Sequence, residues 1–266
     1  GYVRQVDPYH HPATVHPHHS GRSSVTDETV IDFDMLQTGH GDWNAALGAI
    51  PKFQAAYART PAMPVMIGEY CYEGHMQTAF QDVQRYVFWG SMLSGSAGLT
   101  YGAAGVWHAS VEGDPGLANV YDWTTWKEGM NYPGSTQLGL GKRLLEQYAW
   151  ARFEPRPEWT EPGSFAAGAP NEVRFIYMPK RGVYNWTGPV VHDLERDHIV
   201  IDVLSVERDG YGRVFRRFDG QIRGHRRVVH GGHGDGDRRD IAVGEAIVGL
   251  EREAVDTAVI GGRRVG

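Results

Sequence analysis

The feature that most constrains the fold is a short apolar run that stops at a carboxylate. Residues 63–68 carry no polar side chain, and Glu69 follows them directly. A continuous run of this length is typical of a strand buried on both faces of a parallel sheet. In α/β folds, functional side chains lie just past the carboxyl ends of such strands. Glu69 is therefore a candidate active-site residue, and a solvated glutamate in a βα loop is the alternative interpretation.

The composition limits the classes of function. The chain has 266 residues, 41% of them hydrophobic, so it can bury a sizeable core. Its net charge of −6 disfavours binding to nucleic acid or to an anionic membrane surface. No run approaches the ~18 apolar residues of a membrane span. Cys71 is the only cysteine, which excludes an intrachain disulfide and a zinc cluster built from cysteines.

The opening residues predict that the chain is a fragment or a processed form. Residue 1 is Gly, and residues 1–5 are typical of the middle of a helix or a loop. No targeting segment can be recognised in them. The sequence therefore indicates neither a compartment nor an oligomeric state.

Apolar runs alternate with amphipathic stretches along the first part of the chain. The predicted strands cover residues 13–16, 30–37, 63–68 and 98–102. The predicted helices cover residues 42–57, 77–93 and 135–148. This alternation predicts an α/β fold with a parallel sheet. The sheet is either open and doubly wound or half of a (β/α)8 barrel, since a whole barrel needs about 250 residues.

The second part of the chain has a different character. The predicted divisions are an α/β domain over residues 1–150, a linker over 151–163, a small β domain over 164–206 and an atypical tail over 207–266. Three prolines mark the linker, and residues 172–177 and 182–186 are predicted to form a hairpin. The tail is rich in Arg, Gly and His, which indicates disorder or an aberrant terminus, although residues 241–250 are compatible with a strand.

Carboxylates and aromatic residues near the predicted strand ends are typical of a sugar-cleaving site. Glycoside cleavage needs two carboxylates, one on each side of the scissile bond. Glu69 is the best placed of them, and the other acids considered are Asp34, Glu73, Glu112 and Asp122. Aromatic rings after the strand ends, such as Tyr101 and Trp107, are suited to stacking on a sugar.

The histidines allow a second interpretation. His16 and His18 form an H-x-H pair, which supplies two metal ligands in metallohydrolases, with His40 and Asp34 as further ligands. Pro17 between the two histidines disfavours this arrangement. The favoured role for these histidines is hydrogen bonding to hydroxyl groups or structural contacts within the loop, and no metal or cofactor is expected. A carbohydrate-binding module without catalysis is the remaining alternative.

Four motifs together resemble the apiosidase-like glycoside hydrolases. They are residues 7–12 (DPYHHP), 32–40 (DFDMLQTGH), 64–74 (PVMIGEYCYEG) and 98–102 (GLTYG). Residues 133–137 and 177–179 resemble the last barrel helix and an appended β domain, sometimes labelled collagen-binding, so the similarity covers roughly residues 5–195. The region after Asp197 departs from the family pattern.

The resemblance implies a retaining two-carboxylate mechanism on a (β/α)8 barrel. It makes the chain the C-terminal half of that barrel, strands five to eight, followed by a small β-sandwich-like domain. Glu69 matches the nucleophile at the end of the seventh strand, and the acid/base after the fourth strand would lie upstream of residue 1. The chain alone is then expected to hydrolyse little. The residues expected to hold the carbohydrate are His16, Gln37, His40, Tyr70, Glu73, Tyr101, Trp107 and Asp122.

Overall fold

The computed structural model describes residues 2–41, 43–113, 124–160, 162–179, 198–203, 217–219, 244–249 and 259–261. The helices in these ranges are α1 (Tyr2–Val6), α2 (Trp43–Tyr57), α3 (Gln81–Met92), α4 (Trp126–Gly129) and α5 (Pro133–Leu145). The first strands are β1 (Asp34–Gln37), β2 (Val65–Glu69) and β3 (Gly98–Leu99). The later strands are β4 (Glu154–Pro155), β5 (Phe165–Ala169), β6 (Val173–Met178), β7 (His198–Val203), β8 (Arg217–Asp219), β9 (Gly244–Gly249) and β10 (Val259–Gly261). No helix among the described residues is long and apolar enough to cross a membrane.

Strands β1, β2 and β3 form a parallel sheet in that order. Its register is regular as far as the pair Leu36 and Ile67, and then shifts so that Gln37 lies opposite Glu69. Gly68 is the extra residue at this bulge, and a Cβ atom there would lie only 2.0 Å from the Cε of Met35. A larger residue at this position would have to displace the Met35 side chain, and the bulge re-aims the side chain that follows it.

The predicted strand over residues 13–16 is wrong. Ala13 donates its N–H to the Asp32 carboxylate at 2.6 Å, and the Thr14 hydroxyl donates to the Phe33 carbonyl oxygen at 2.8 Å. These contacts replace a strand ladder. The outer edge of β1 is instead covered by residues 19–21, where Gln37 N–H donates to the His19 carbonyl oxygen at 3.0 Å. No strand of the described residues pairs with the outer edge of β3.

The predicted strand over residues 30–37 is shorter in the structure. Residues 28–30 form a 3₁₀ turn because Asp27 accepts a hydrogen bond from Thr29 N–H. Asp34, considered among the acids above, is fully buried. Its carboxylate accepts from the Ser20 hydroxyl at 2.9 Å and from Arg22 N–H at 3.0 Å. Asp34 therefore fastens residues 20–22 to β1 rather than facing a ligand.

Helix α3 lies at the centre of the core. It packs against α2 and α5, and its residues Val83 to Ser91 are buried without a break. The second sheet covers it from a further side, where the Trp89 and Tyr177 rings lie 6.3 Å apart. The predicted helix over residues 77–93 begins later, at Gln81, because Met76 and Gln77 have φ values of 53° and 57° that an α-helix does not allow.

The second sheet is antiparallel and has the order β4-β5-β6-β7-β9. Strand β4 lies inside the predicted linker, and β9 lies inside the stretch 241–250 of the tail. Strand β6 pairs with β5 and β7. The predicted hairpin partner over residues 182–186 lies outside the described residues. A separate two-stranded pair joins β8 and β10.

Candidate active site

The carboxyl ends of β1 and β2 bring Gln37 and Glu69 together. The register shift places the two residues opposite each other, and Gln37 Nε2 donates to Glu69 Oε1 at 2.9 Å. A backbone hydrogen bond also joins the ends of the two strands, since Thr38 N–H donates to the Glu69 carbonyl oxygen at 2.9 Å. The Glu69 side chain is 12% exposed, so it is shielded but not sealed from solvent. Glu69 is the last residue of β2, and the carboxyl ends of parallel strands are where functional side chains of α/β proteins are commonly found.

His40 reaches the same carboxylate oxygen from the segment after β1. Its Nε2 lies 2.5 Å from Glu69 Oε1. The ring packs edge-on against Tyr72, at 4.8 Å between centroids, and lies 5.3 Å from the His75 ring. The sequence indicated His40, and it indicated Tyr72 as one of the aromatic residues that follow the strand of Glu69, but it did not indicate His75. The position of His75 shortly after the same strand is the signal that would have indicated it.

His16 reaches the other carboxylate oxygen. Its Nε2 lies 2.7 Å from Glu69 Oε2, and its side chain is 54% exposed. Residues 11–17 have no regular secondary structure, so His16 approaches from a loop. Glu69 therefore has both oxygens engaged by nitrogen-bearing side chains from three separate positions in the chain.

Glu73 lies in a different environment from Glu69, although only four residues separate them. Its side chain is 0% exposed. It accepts from the Tyr101 hydroxyl at 2.6 Å and from Gly134 N–H at 2.9 Å. Gly134 is in the first turn of α5, where unpaired N–H groups favour a carboxylate. Glu73 thus joins the segment after β2 to the segment after β3 and to α5.

Burial governs the protonation of this cluster. It raises the pKa of Glu73, while the hydrogen bonds from Tyr101 and Gly134 oppose the rise. Burial, followed by the bond to Glu73, also raises the pKa of Tyr101. Tyr70 is buried as well, and burial raises the pKa of its hydroxyl far above the usual range. Neither Tyr70 nor Glu73, both expected to hold the sugar, is accessible to a ligand in this structure.

The remaining predicted residues have other partners or lie outside the described residues. Trp107 is 56% exposed and packs edge-on against His108 at 4.3 Å. The Tyr101 hydroxyl donates its hydrogen bond to Glu73. Asp122 lies outside the described residues. The structure therefore brings together His16, Gln37, His40 and Glu69.

The metal hypothesis required His16 and further ligands in one cluster. In the described part of the chain, no group of three or more His, Cys, Asp or Glu side chains is arranged to hold a metal ion. His16 lies against Glu69. Two cavities, of about 490 and 390 Å³, lie elsewhere, beside α2 and beside β3, and Glu69 lines neither of them.

Comparison with known proteins identifies the family. The family model described as "Apiosidase-like, catalytic domain" matches residues 1–152. The chain belongs to the apiosidase-like family. The resemblance drawn from the four sequence motifs is thereby confirmed, and the match covers the parallel sheet and the helices around it. No curated protein matches this apiosidase-like chain.

Solved structures support the same fold class. The crystal structure of a glycoside hydrolase family 5 protein from Bacteroides vulgatus ATCC 8482 matches with a TM-score of 0.60 and 21% identity, over 67% of this chain and 44% of that one. A second protein, described as a glycoside hydrolase, matches with a TM-score of 0.52 and 19% identity, over 69% and 43%. At these identities the likeness shows the fold, a mixed α/β architecture with TIM-type neighbours. The apiosidase-like chain spans less than half the length of either neighbour.

Proposed function

We propose that this chain carries the nucleophile of a retaining glycoside hydrolase, and that the nucleophile is Glu69. The observation that carries the proposal is the placement of Glu69 at the carboxyl end of β2, with both oxygens engaged by His16, Gln37 and His40. An ionised carboxylate accepts hydrogen bonds on both oxygens, and the ionised form is the one that attacks. In that attack, the carboxylate bonds to the anomeric carbon while the bond to the leaving oxygen breaks.

The partner carboxylate is proposed to come from outside these residues. A general acid must protonate the leaving oxygen, and Glu73, the acid nearest in sequence, is buried and bonded to Tyr101 and Gly134. The family resemblance puts the acid/base after the fourth strand of a (β/α)8 barrel. We propose that the three-stranded parallel sheet belongs to the C-terminal half of such a barrel. Among the described residues no strand pairs with the outer edge of β3, and a largely apolar cavity lies beside it, so another strand could pair there.

The substrate class is proposed from the family and from the site. The family name suggests glycosides of apiose as the first substrates to consider. The substrate class is plant or microbial polysaccharides and oligosaccharides. Gln37 and His40 contact the Glu69 carboxylate. The exposed ring of Trp107 is suited to stacking against a sugar. The role of Asp122 stays a prediction from the sequence.

A test of this proposal should not depend on the general acid. We expect the chain to cleave 2,4-dinitrophenyl glycosides from a panel that includes the apioside, because this leaving group departs without a proton. Sodium azide should then capture the glycosyl-enzyme and give a glycosyl azide with the configuration of the substrate. Proton NMR of the azide product measures that configuration.

Two results would contradict the proposal. An azide of inverted configuration would mean direct displacement rather than a covalent intermediate. Binding of the same glycosides in a calorimeter without any release of dinitrophenol would instead identify a carbohydrate-binding module.

A further inference from the structure

The two oxygens of Glu69 are not equivalent. Each carboxylate oxygen offers two lone-pair positions. Oε1 lies 2.9 Å from Gln37 Nε2 and 2.5 Å from His40 Nε2, so both of its positions are taken. Oε2 lies 2.7 Å from His16 Nε2 and has no other partner among the described residues. One lone pair of Oε2 is therefore available to a ligand, and none of Oε1 is.

The side chains that contact the two oxygens also differ in their packing and exposure. Gln37 belongs to β1, and His40 packs against Tyr72. Tyr72 is itself wedged against the backbone of residue 102, where a Cβ atom in place of the glycine hydrogen would lie 2.3 Å from the ring. His16 lies in a loop, and its side chain is 54% exposed against 29% for His40. Two packed side chains thus hold Oε1, and one more exposed side chain contacts Oε2.

We propose that Oε2 is the oxygen that attacks the anomeric carbon, and that His16 is the residue that positions it. This inference rests on the proposed function. As the bond from Oε2 to carbon forms, the bond from carbon to the leaving oxygen breaks and the negative charge passes to the leaving group. Oε1 becomes the carbonyl oxygen of the glycosyl ester and keeps its contacts with Gln37 and His40. The ester oxygen is a weaker acceptor than a carboxylate, so His16 is released to contact a sugar hydroxyl.

The geometry explains why a third contact is needed. Two donors on Oε1 hold that atom in place but still allow the carboxylate plane to swing about it. His16 fixes the position of Oε2, and productive attack needs the reacting atoms aligned at about 3–3.5 Å. Loss of His16 should therefore slow the covalent step without weakening binding of the sugar beforehand.

The test uses inactivation by a panel of 2,4-dinitrophenyl 2-deoxy-2-fluoroglycosides that includes the apioside. We expect His16→Ala to lower the maximal rate constant of inactivation about tenfold, the effect of one hydrogen bond to a charged group, with the half-saturating concentration unchanged. His16→Gln should restore most of the rate, because its amide also donates. His19→Ala, at another exposed histidine of the same segment, is the matched control and should react like the unchanged chain.

A crystal structure of the inactivated chain decides which oxygen reacts. We expect the ester oxygen on the side of His16 and the carbonyl oxygen still bonded to Gln37 and His40. An ester through the oxygen held by Gln37 and His40, or an unchanged rate in His16→Ala, would overturn the inference and leave the proposed function intact. Failure of the unchanged chain to be labelled at Glu69 would overturn both.

Discussion

Replacement of Glu69 by glutamine is expected to lower turnover of 2,4-dinitrophenyl glycosides at least about 10³-fold, as loss of a catalytic nucleophile does. An amide does not attack the anomeric carbon, and binding alone gives no intermediate. The folded state should be little changed, because the amide oxygen can still accept from Gln37 and His40. Steady-state kcat/KM and the midpoint of thermal unfolding measure the two effects.

The matched control for Glu69→Gln is Glu158→Gln. Glu158 is an exposed glutamate in the turn Pro157–Trp159, outside the parallel sheet, so its replacement makes the same chemical change at a residue with no proposed role. We expect it to leave kcat/KM within about twofold of the unchanged chain, since surface substitutions have small effects. Equal loss of turnover in both variants, or none in Glu69→Gln, would contradict the assignment of Glu69.

The second large effect is expected at Glu73, on stability. Glu73→Ala leaves the Tyr101 hydroxyl and Gly134 N–H without their acceptor, which should cost about 2–4 kcal/mol of unfolding free energy for two unsatisfied buried groups. Glu73→Gln keeps an oxygen acceptor and removes the buried charge, so it should be far less destabilising. Urea unfolding of both variants measures the difference, and equal losses would contradict a hydrogen-bonding role for Glu73.

The difference in stability between the unchanged chain and Glu73→Gln should depend on pH, and the direction of that dependence follows from the pKa of Glu73. Burial raises the pKa of folded Glu73 above its ordinary value of 4.5. The folded state therefore holds this proton more tightly than the unfolded state. The stabilising contribution of Glu73 is complete below the unfolded-state pKa and is lost as the pH rises through the folded one. We expect the stability of the unchanged chain to fall relative to Glu73→Gln over that window, and a rise would contradict burial as the dominant cause.

Glu69 was predictable from the sequence because its signal is local. The apolar run, Gly68 and the carboxylate that follows are contiguous, and they correspond to β2 in the structure. The helices α2, α3 and α5 were indicated by the spacing of their apolar residues. The errors are at their ends: α3 begins late because of the positive φ values at Met76 and Gln77, and α5 begins at Pro133. Strand β1 begins later than predicted because Asp27 stabilises a turn before it.

The contacts within the site could not be predicted from the sequence because they join residues that are far apart in the chain. The pairing of Gln37 with Glu69 depends on a bulge at Gly68, where the Met35 side chain packs closely against the glycine. Glu73 and Glu69 look alike in the sequence, yet Glu73 is buried because α5 begins beside it, 61 residues further along the chain. His16 was placed in a strand and reaches Glu69 from a loop instead.

The most direct test of the central claim is mass-spectrometric mapping of the covalent label. The chain is treated with the 2-deoxy-2-fluoroglycosides and digested, and the modified peptide is sequenced. We predict one sugar per chain, carried by Glu69, absent in Glu69→Gln and removed on incubation with azide. A label on another carboxylate, or a chain that releases dinitrophenol without ever carrying a sugar, would contradict the account of Glu69 as the nucleophile.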